Sequence, residues 1–178
     1  MIPKDLKRGV LSEDGLYDLI DDYLQYKSER KGSFQYQAVF DQHHFTLHDC
    51  RVTSINYENR CLTFEIPGGI YCEKYGNDWP NTGKAAVRWN ITGEDEAYLQ
   101  VFIREDCKTV RYEYDLENMT SNVNSGNWQL ELGYRYRGLA AIIYIGYIWL
   151  EEEPWHYQMQ LMVASRENEI LFWNDPDK

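Results

Sequence analysis

From Phe34 onward the chain alternates with a period of two. Short runs of Val, Ile, Tyr, Thr and Phe are interleaved with polar residues and broken by clusters of Gly, Pro, Asn and Asp. An extended backbone sends successive side chains to opposite faces, so this alternation marks half-buried strands and excludes a helical bundle. The runs fall at 34–40, 45–57, 61–66, 70–75, 84–91, 98–104, 109–114, 128–136, 140–150, 155–165 and 170–173. Turns are read at Glu58-Asn59-Arg60, Pro67-Gly68-Gly69 and Glu105-Asp106, where backbone-permissive residues gather. Residues 121–127 are polar, carry one Gly and read as a mobile loop.

The period differs only near the start. Leu16, Ile20, Tyr23 and Leu24 recur at helical spacing, with Ser12 as a cap, Glu13 and Asp14 in the first turn, and Lys27, Arg30 and Lys31 before Gly32. Residues 13–30 therefore read as one amphipathic helix that must lie on an apolar surface. The run 140–150 is apolar on both faces and reads as a central strand covered on both sides. It is also a candidate for edge pairing with another chain. A length of 178 residues suits one domain spanning 1–178. The expected class is mainly β, or α+β by element count. Its expected form is an antiparallel β-sandwich or half-barrel, strands over about 34–173, with the N-terminal helix packed across one sheet.

Charge narrows the partners. The chain carries 18 Lys and Arg against 29 Asp and Glu, a net charge of -11. Phosphate recognition needs clustered cations, so nucleic acid and anionic membrane are not expected as partners, whereas a basic protein is. The longest apolar run, 139–150, is shorter than the roughly 20 residues a membrane helix needs. The start of the chain lacks the apolar core of a signal peptide. Cys50, Cys61, Cys72 and Cys107 form no CxxC pair, and they read as reduced thiols of a cytoplasmic protein. The 15 Tyr and 6 Trp suit pleated surfaces and interface anchors alike.

No nucleophile elbow, phosphate loop or dinucleotide fingerprint is present, so no catalytic residue and no cofactor is assigned. The densest polar cluster is Asp41-Gln-His-His-Phe-Thr-Leu-His-Asp-Cys50. On one extended strand His44, His48 and Cys50 would share a face, and imidazole and thiolate can ligate zinc or nickel. Strand positions i and i+4 stand about 13 Å apart, however, so one tetrahedral ion cannot join them without a bend. The expectation is no metal, with His44, His48 and Asp49 as a polar cluster bonded to a neighbouring turn. Glu151-Glu152-Glu153-Pro154-Trp155 lies between two apolar strands, and the loop at 74–80 contains Asp78 and Trp79. Acids beside tryptophans are suited to a basic partner, so Asp78, Trp79, Glu151, Glu152, Glu153 and Trp155 are the candidate binding residues.

The stretch Leu47-His48-Asp49-Cys50-Arg51-Val52-Thr53-Ser54-Ile55, followed by Cys61-Leu62-Thr63-Phe64-Glu65-Ile66 and Gly68-Gly69, resembles the opening hairpin of small bacterial β-rich proteins. These are of the immunity-protein and domain-of-unknown-function type. In them a His-Asp step begins a strand and an aliphatic hairpin ends in a glycine turn. The resemblance implies a β-rich fold and the role of an immunity protein that inhibits a toxin, and it carries no catalytic residues across. The function expected is non-catalytic protein binding, with an immunity-type inhibitor of a basic toxin as its particular form. The alternatives are a small-ligand binder with an aromatic cavity and a metal-dependent enzyme using His44, His48 and Cys50.

Overall fold

The computed structural model describes residues 34–72, 81–91, 93, 96–165, 167 and 169–175. The chain divides into two units, 1–33 and 34–178, and all described residues belong to the second. The expected helix 13–30 and the candidate residues Asp78 and Trp79 lie outside them.

Thirteen strands occur among the described residues: β1 (Tyr36–Val39), β2 (Phe45–Thr46), β3 (Arg51–Val52), β4 (Ser54–Glu58), β5 (Cys61–Ile66), β6 (Tyr71–Cys72), β7 (Ala85–Asn90), β8 (Ala97–Glu105), β9 (Lys108–Asp115), β10 (Gln129–Arg137), β11 (Ile142–Trp149), β12 (His156–Val163) and β13 (Ile170–Trp173). They form a five-stranded sheet of order β1-β13-β7-β5-β4, a six-stranded sheet of order β3-β10-β11-β12-β8-β9, and a two-stranded ribbon of β2 and β6. Every described pairing is antiparallel. The chain is thus mainly β, as its alternation requires. No helix of the described residues is long and apolar enough to cross a membrane.

One hydrophobic core draws on both large sheets. Leu62, Phe64, Val87, Trp89 and Leu171 come from the five-stranded sheet, and Leu99, Leu130, Tyr144, Ile148 and Leu161 from the six-stranded one. Each of these large side chains contributes roughly 1.5–3 kcal/mol by leaving water. Trp89 is central. Its ring meets Phe64 at 5.0 Å and Tyr144 at 6.0 Å, both edge-on, and so touches both sheets.

Two expectations change here. Strand β11 has a neighbour on each side, β10 and β12, so its backbone is not an edge open to another chain. The polar stretch expected to be a loop is instead largely a helix, α1 (Leu116–Asn124). Asp115 caps it, its Oδ1 accepting the Asn118 N–H at 2.8 Å. Leu116, Met119 and Val123 fall on one face and are buried, and Gly126 at φ 84 accompanies the exit from the last turn. Three asparagines conceal the pattern, and one is structural. Asn124 accepts the Ile55 N–H and donates to the Ile55 carbonyl, both at 2.8 Å, and thereby satisfies the otherwise open edge of β4. Asp115→Ala is expected to cost about 1 kcal/mol through loss of the cap, read as a lower denaturation midpoint at unchanged slope. No shift in midpoint would mean that α1 is held by its apolar face alone.

Candidate functional site

The segment expected to be one strand, 45–57, is three: β2, β3 and β4. A turn at 47–50 separates the first two. Leu47 and Cys50 are buried, and the Cys50 N–H donates to the Leu47 carbonyl at 3.1 Å. Asp49 sits at φ 62, a left-handed conformation that Asp tolerates better than bulkier residues. His48 and Asp49 are thereby left exposed beside each other, with His48 Nδ1 3.0 Å from Asp49 Oδ2.

The turn also disperses the expected set of His44, His48 and Cys50. His44 Nδ1 lies 2.7 Å from Asp41 Oδ2. The His43 backbone N–H, and then the His44 ring, hold the Asp41 carboxyl below its usual pKa. The Cys50 thiol faces the carbonyls of Thr46 at 3.8 Å and His48 at 3.6 Å. Burial pushes its pKa up to about 12, so it stays protonated at neutral pH and is a poor ligand or nucleophile. The polar cluster expected at this turn therefore exists as two separate pairs, Asp41–His44 and His48–Asp49.

Sequence reasoning passed over Glu131. In β10 it pairs directly with Arg51 of β3, and its side chain is 4% exposed although it points away from the core that Leu130 and Leu132 enter. The Arg51 guanidinium and the Trp149 Nε1–H, the latter at 2.8 Å, both donate to Glu131 Oε2. Arg51 also lies over the Trp149 ring, its Cζ 4.2 Å from the ring centroid. The other oxygen, Oε1, takes no hydrogen bond from the described residues. His48, Asp49 and Glu131 each place one ligand atom within 4.8 Å of the others.

A bulge follows Glu131. Glu131 pairs with Tyr147 and Tyr134 with Ile145, so Leu132 and Gly133 together face Gly146. The extra residue reverses the alternation of β10. Tyr134 and Tyr136 turn outward, and Arg135 and Arg137 turn to the side of Tyr144 and Ile142. There they meet Glu169, just before β13 of the other sheet, whose side chain is 0% exposed. Arg135 grips this carboxylate with two nitrogens, the Nη2–Oε2 bond being 2.8 Å. Arg137 approaches Oε2 at 3.4 Å, and the Tyr144 hydroxyl donates to Oε1 at 3.0 Å. Burial first, and the Glu169 charge second, keep the Tyr144 hydroxyl protonated far above its ordinary pKa. Beside this cluster lies a cleft of about 300 Å³ lined by Phe40, Phe45, His48, Tyr134, Arg135 and Tyr144, among others.

The remaining candidates lie at the turn between β11 and β12. Glu151, Glu152 and Glu153 are all exposed, and Trp155 is 54% exposed. The Leu150 N–H closes the turn on the Trp155 carbonyl at 3.0 Å. Directly beneath, the cross-strand pair Trp149 and His156 bring their rings to 5.1 Å, and Tyr147 stands edge-on to His156 at 5.2 Å. The turn and this aromatic group are contiguous, and through Arg51 they reach Glu131 and the His48–Asp49 pair. The ring group was hidden in the sequence because its members are joined by strand register.

The fold and this surface define an antiparallel, mainly-β protein whose densest exposed chemistry is aromatic and acidic. No family model matches the chain, and no curated protein or solved structure shows significant similarity to it.

Proposed function

We propose that the chain is a non-catalytic protein-binding domain, built on a two-sheet antiparallel sandwich, that recognises a basic protein. The observation that carries this reading is the surface at the β11–β12 turn, where three exposed glutamates border Trp155 and the ring group of Trp149, His156 and Tyr147. Tryptophan, tyrosine and arginine dominate the energetics of protein interfaces, and the rings here are already held against one another, so little ordering entropy is lost on binding. The acids add long-range attraction for a cationic partner, reinforced by the net charge of -11. An immunity-type inhibitor of a basic toxin is the particular form of this reading.

Capture of basic proteins on the immobilised full chain, across a salt series, tests it. Wild type is expected to retain a basic partner that salt releases. Glu151→Lys, Glu152→Lys and Glu153→Lys combined should lose that partner mainly through slower association, and Trp155→Ala through faster dissociation, with melting temperatures unchanged. A partner retained equally by wild type and both variants would place the interface elsewhere.

The cleft beside Arg135 supports a second reading, a small-ligand site. Its volume stands at the lower end of the range such sites occupy, about 300–1,000 Å³. A compound that raises the melting temperature of wild type but not of Tyr134→Ala would favour it.

A further inference from the structure

We propose that His48, Asp49 and Glu131 form a binding site for a divalent first-row transition ion, with zinc as the reference case. One atom of each side chain lies within 4.8 Å of the other two, and the His48–Asp49 edge is already 3.0 Å. Around zinc, with ligands at about 2.0–2.2 Å, such edges measure roughly 3.2–3.6 Å. The His48–Asp49 edge therefore needs to open slightly and the edges to Glu131 to close, and the residues that can move are the exposed ones, His48 and Asp49.

Glu131 is the fixed member. Its burial and the two donors on Oε2 set the carboxylate plane, and a carboxylate oxygen of Glu131 lies within 4.8 Å of the pair at 48–49. Outer partners that orient a ligating carboxylate are characteristic of metal sites. The charge balance points the same way. Two carboxylates stand against the single guanidinium of Arg51, so the cluster carries a net negative charge that attracts a cation. Arg51 also repels the ion, so the site is weaker than one without it. The imidazole selects the chemistry, because magnesium and calcium prefer all-oxygen shells whereas zinc and its neighbours accept nitrogen with carboxylate. The three side chains supply three ligands, and water takes the remaining positions. This departs from the expectation of no metal, and the ligands differ from the dispersed set His44, His48 and Cys50.

The test is titration of the chelator-treated full chain with zinc chloride, followed by calorimetry and by metal analysis after dialysis. Wild type is expected to take up one equivalent and to melt higher with zinc than without. His48→Ala and Asp49→Asn should each weaken binding about tenfold or more, and the double variant should abolish it. Both lie on the surface, so their metal-free melting temperatures should match wild type. Cys107→Ser and His44→Ala, which alter other accessible donors, should leave the affinity intact. No stoichiometric uptake by wild type, or uptake undiminished in the double variant, would overturn the assignment.

Discussion

Glu169→Ala is expected to destabilise the protein by roughly 3–5 kcal/mol, a large share of the 5–15 kcal/mol by which domains are stable. The carboxylate is wholly buried and is the common partner of Arg135, Arg137 and the Tyr144 hydroxyl. Removing it leaves the partly buried Arg135 guanidinium to find another partner, frees Arg137 to rely on the Glu167 carbonyl, and deprives a buried hydroxyl of its acceptor, which alone costs about 1–3 kcal/mol. For a chain of this size the melting temperature should fall by roughly 6–20 °C. Glu169→Gln keeps an acceptor for Tyr144 but loses the charge, and should fall between alanine and wild type. Arg135→Ala strands the same carboxylate, so a double-mutant cycle should show Glu169→Ala costing less in that background. A loss under about 1 kcal/mol for Glu169→Ala would mean that water reaches the cluster and that it does not tie the sheets together.

Period-two alternation locates most of the strands because it is local. Cys61–Ile66 and Ile170–Trp173 are bounded in the structure as they read in the sequence, and 84–91, 98–104 and 109–114 differ from β7, β8 and β9 by a few terminal residues. What local pattern lacks is pairing. Nothing around Glu131 shows that Arg51, eighty positions earlier, is its cross-strand partner, or that Trp149 will reach the same oxygen. The ring group of Trp149, His156 and Tyr147 depends on register in the same way. The exposed acids of 151–153 were legible because a turn made of like charges has few places to go but solvent.

Two errors in the sequence reading have local causes. Residues 121–127 read as a loop although 121–124 close α1, because polar residues supply most of the helix and only Leu116, Met119 and Val123 carry the helical spacing. The segment 45–57 reads as one strand because its apolar residues Leu47, Val52 and Ile55 run through it without a Gly or Pro, while the break rests on the left-handed turn at Asp49. That break decides the site, since it leaves His48 and Asp49 exposed within reach of Glu131.

The bulge in β10 makes a prediction of comparable size, Gly146→Ala. A Cβ at this position would lie far inside van der Waals contact distance of the Glu131 carbonyl oxygen and 3.0 Å from both the Glu131 carbonyl carbon and the Gly133 nitrogen. All three are backbone atoms of the paired strand, so no side chain can rotate away. The strands must part where Leu132 and Gly133 share one partner. Overpacking usually costs about 1–3 kcal/mol, and an obstacle made of ladder backbone belongs at or beyond the upper end. Loss of roughly 3 kcal/mol or more is expected, enough to lower expression as well as the melting temperature. Gly68→Ala is the control, since nothing lies within 4 Å of its added Cβ, and it should stay within about 0.5 kcal/mol of wild type. The effect should also spread in a specific direction. The displaced carbonyl belongs to Glu131, whose side chain holds Arg51 and Trp149, so surviving Gly146→Ala protein should show altered tryptophan fluorescence and weaker zinc binding than wild type. If it melts within about 2 °C of wild type, the strands tolerate a straight ladder here. The inward turn of Arg135 and Arg137 would then need a cause other than the bulge.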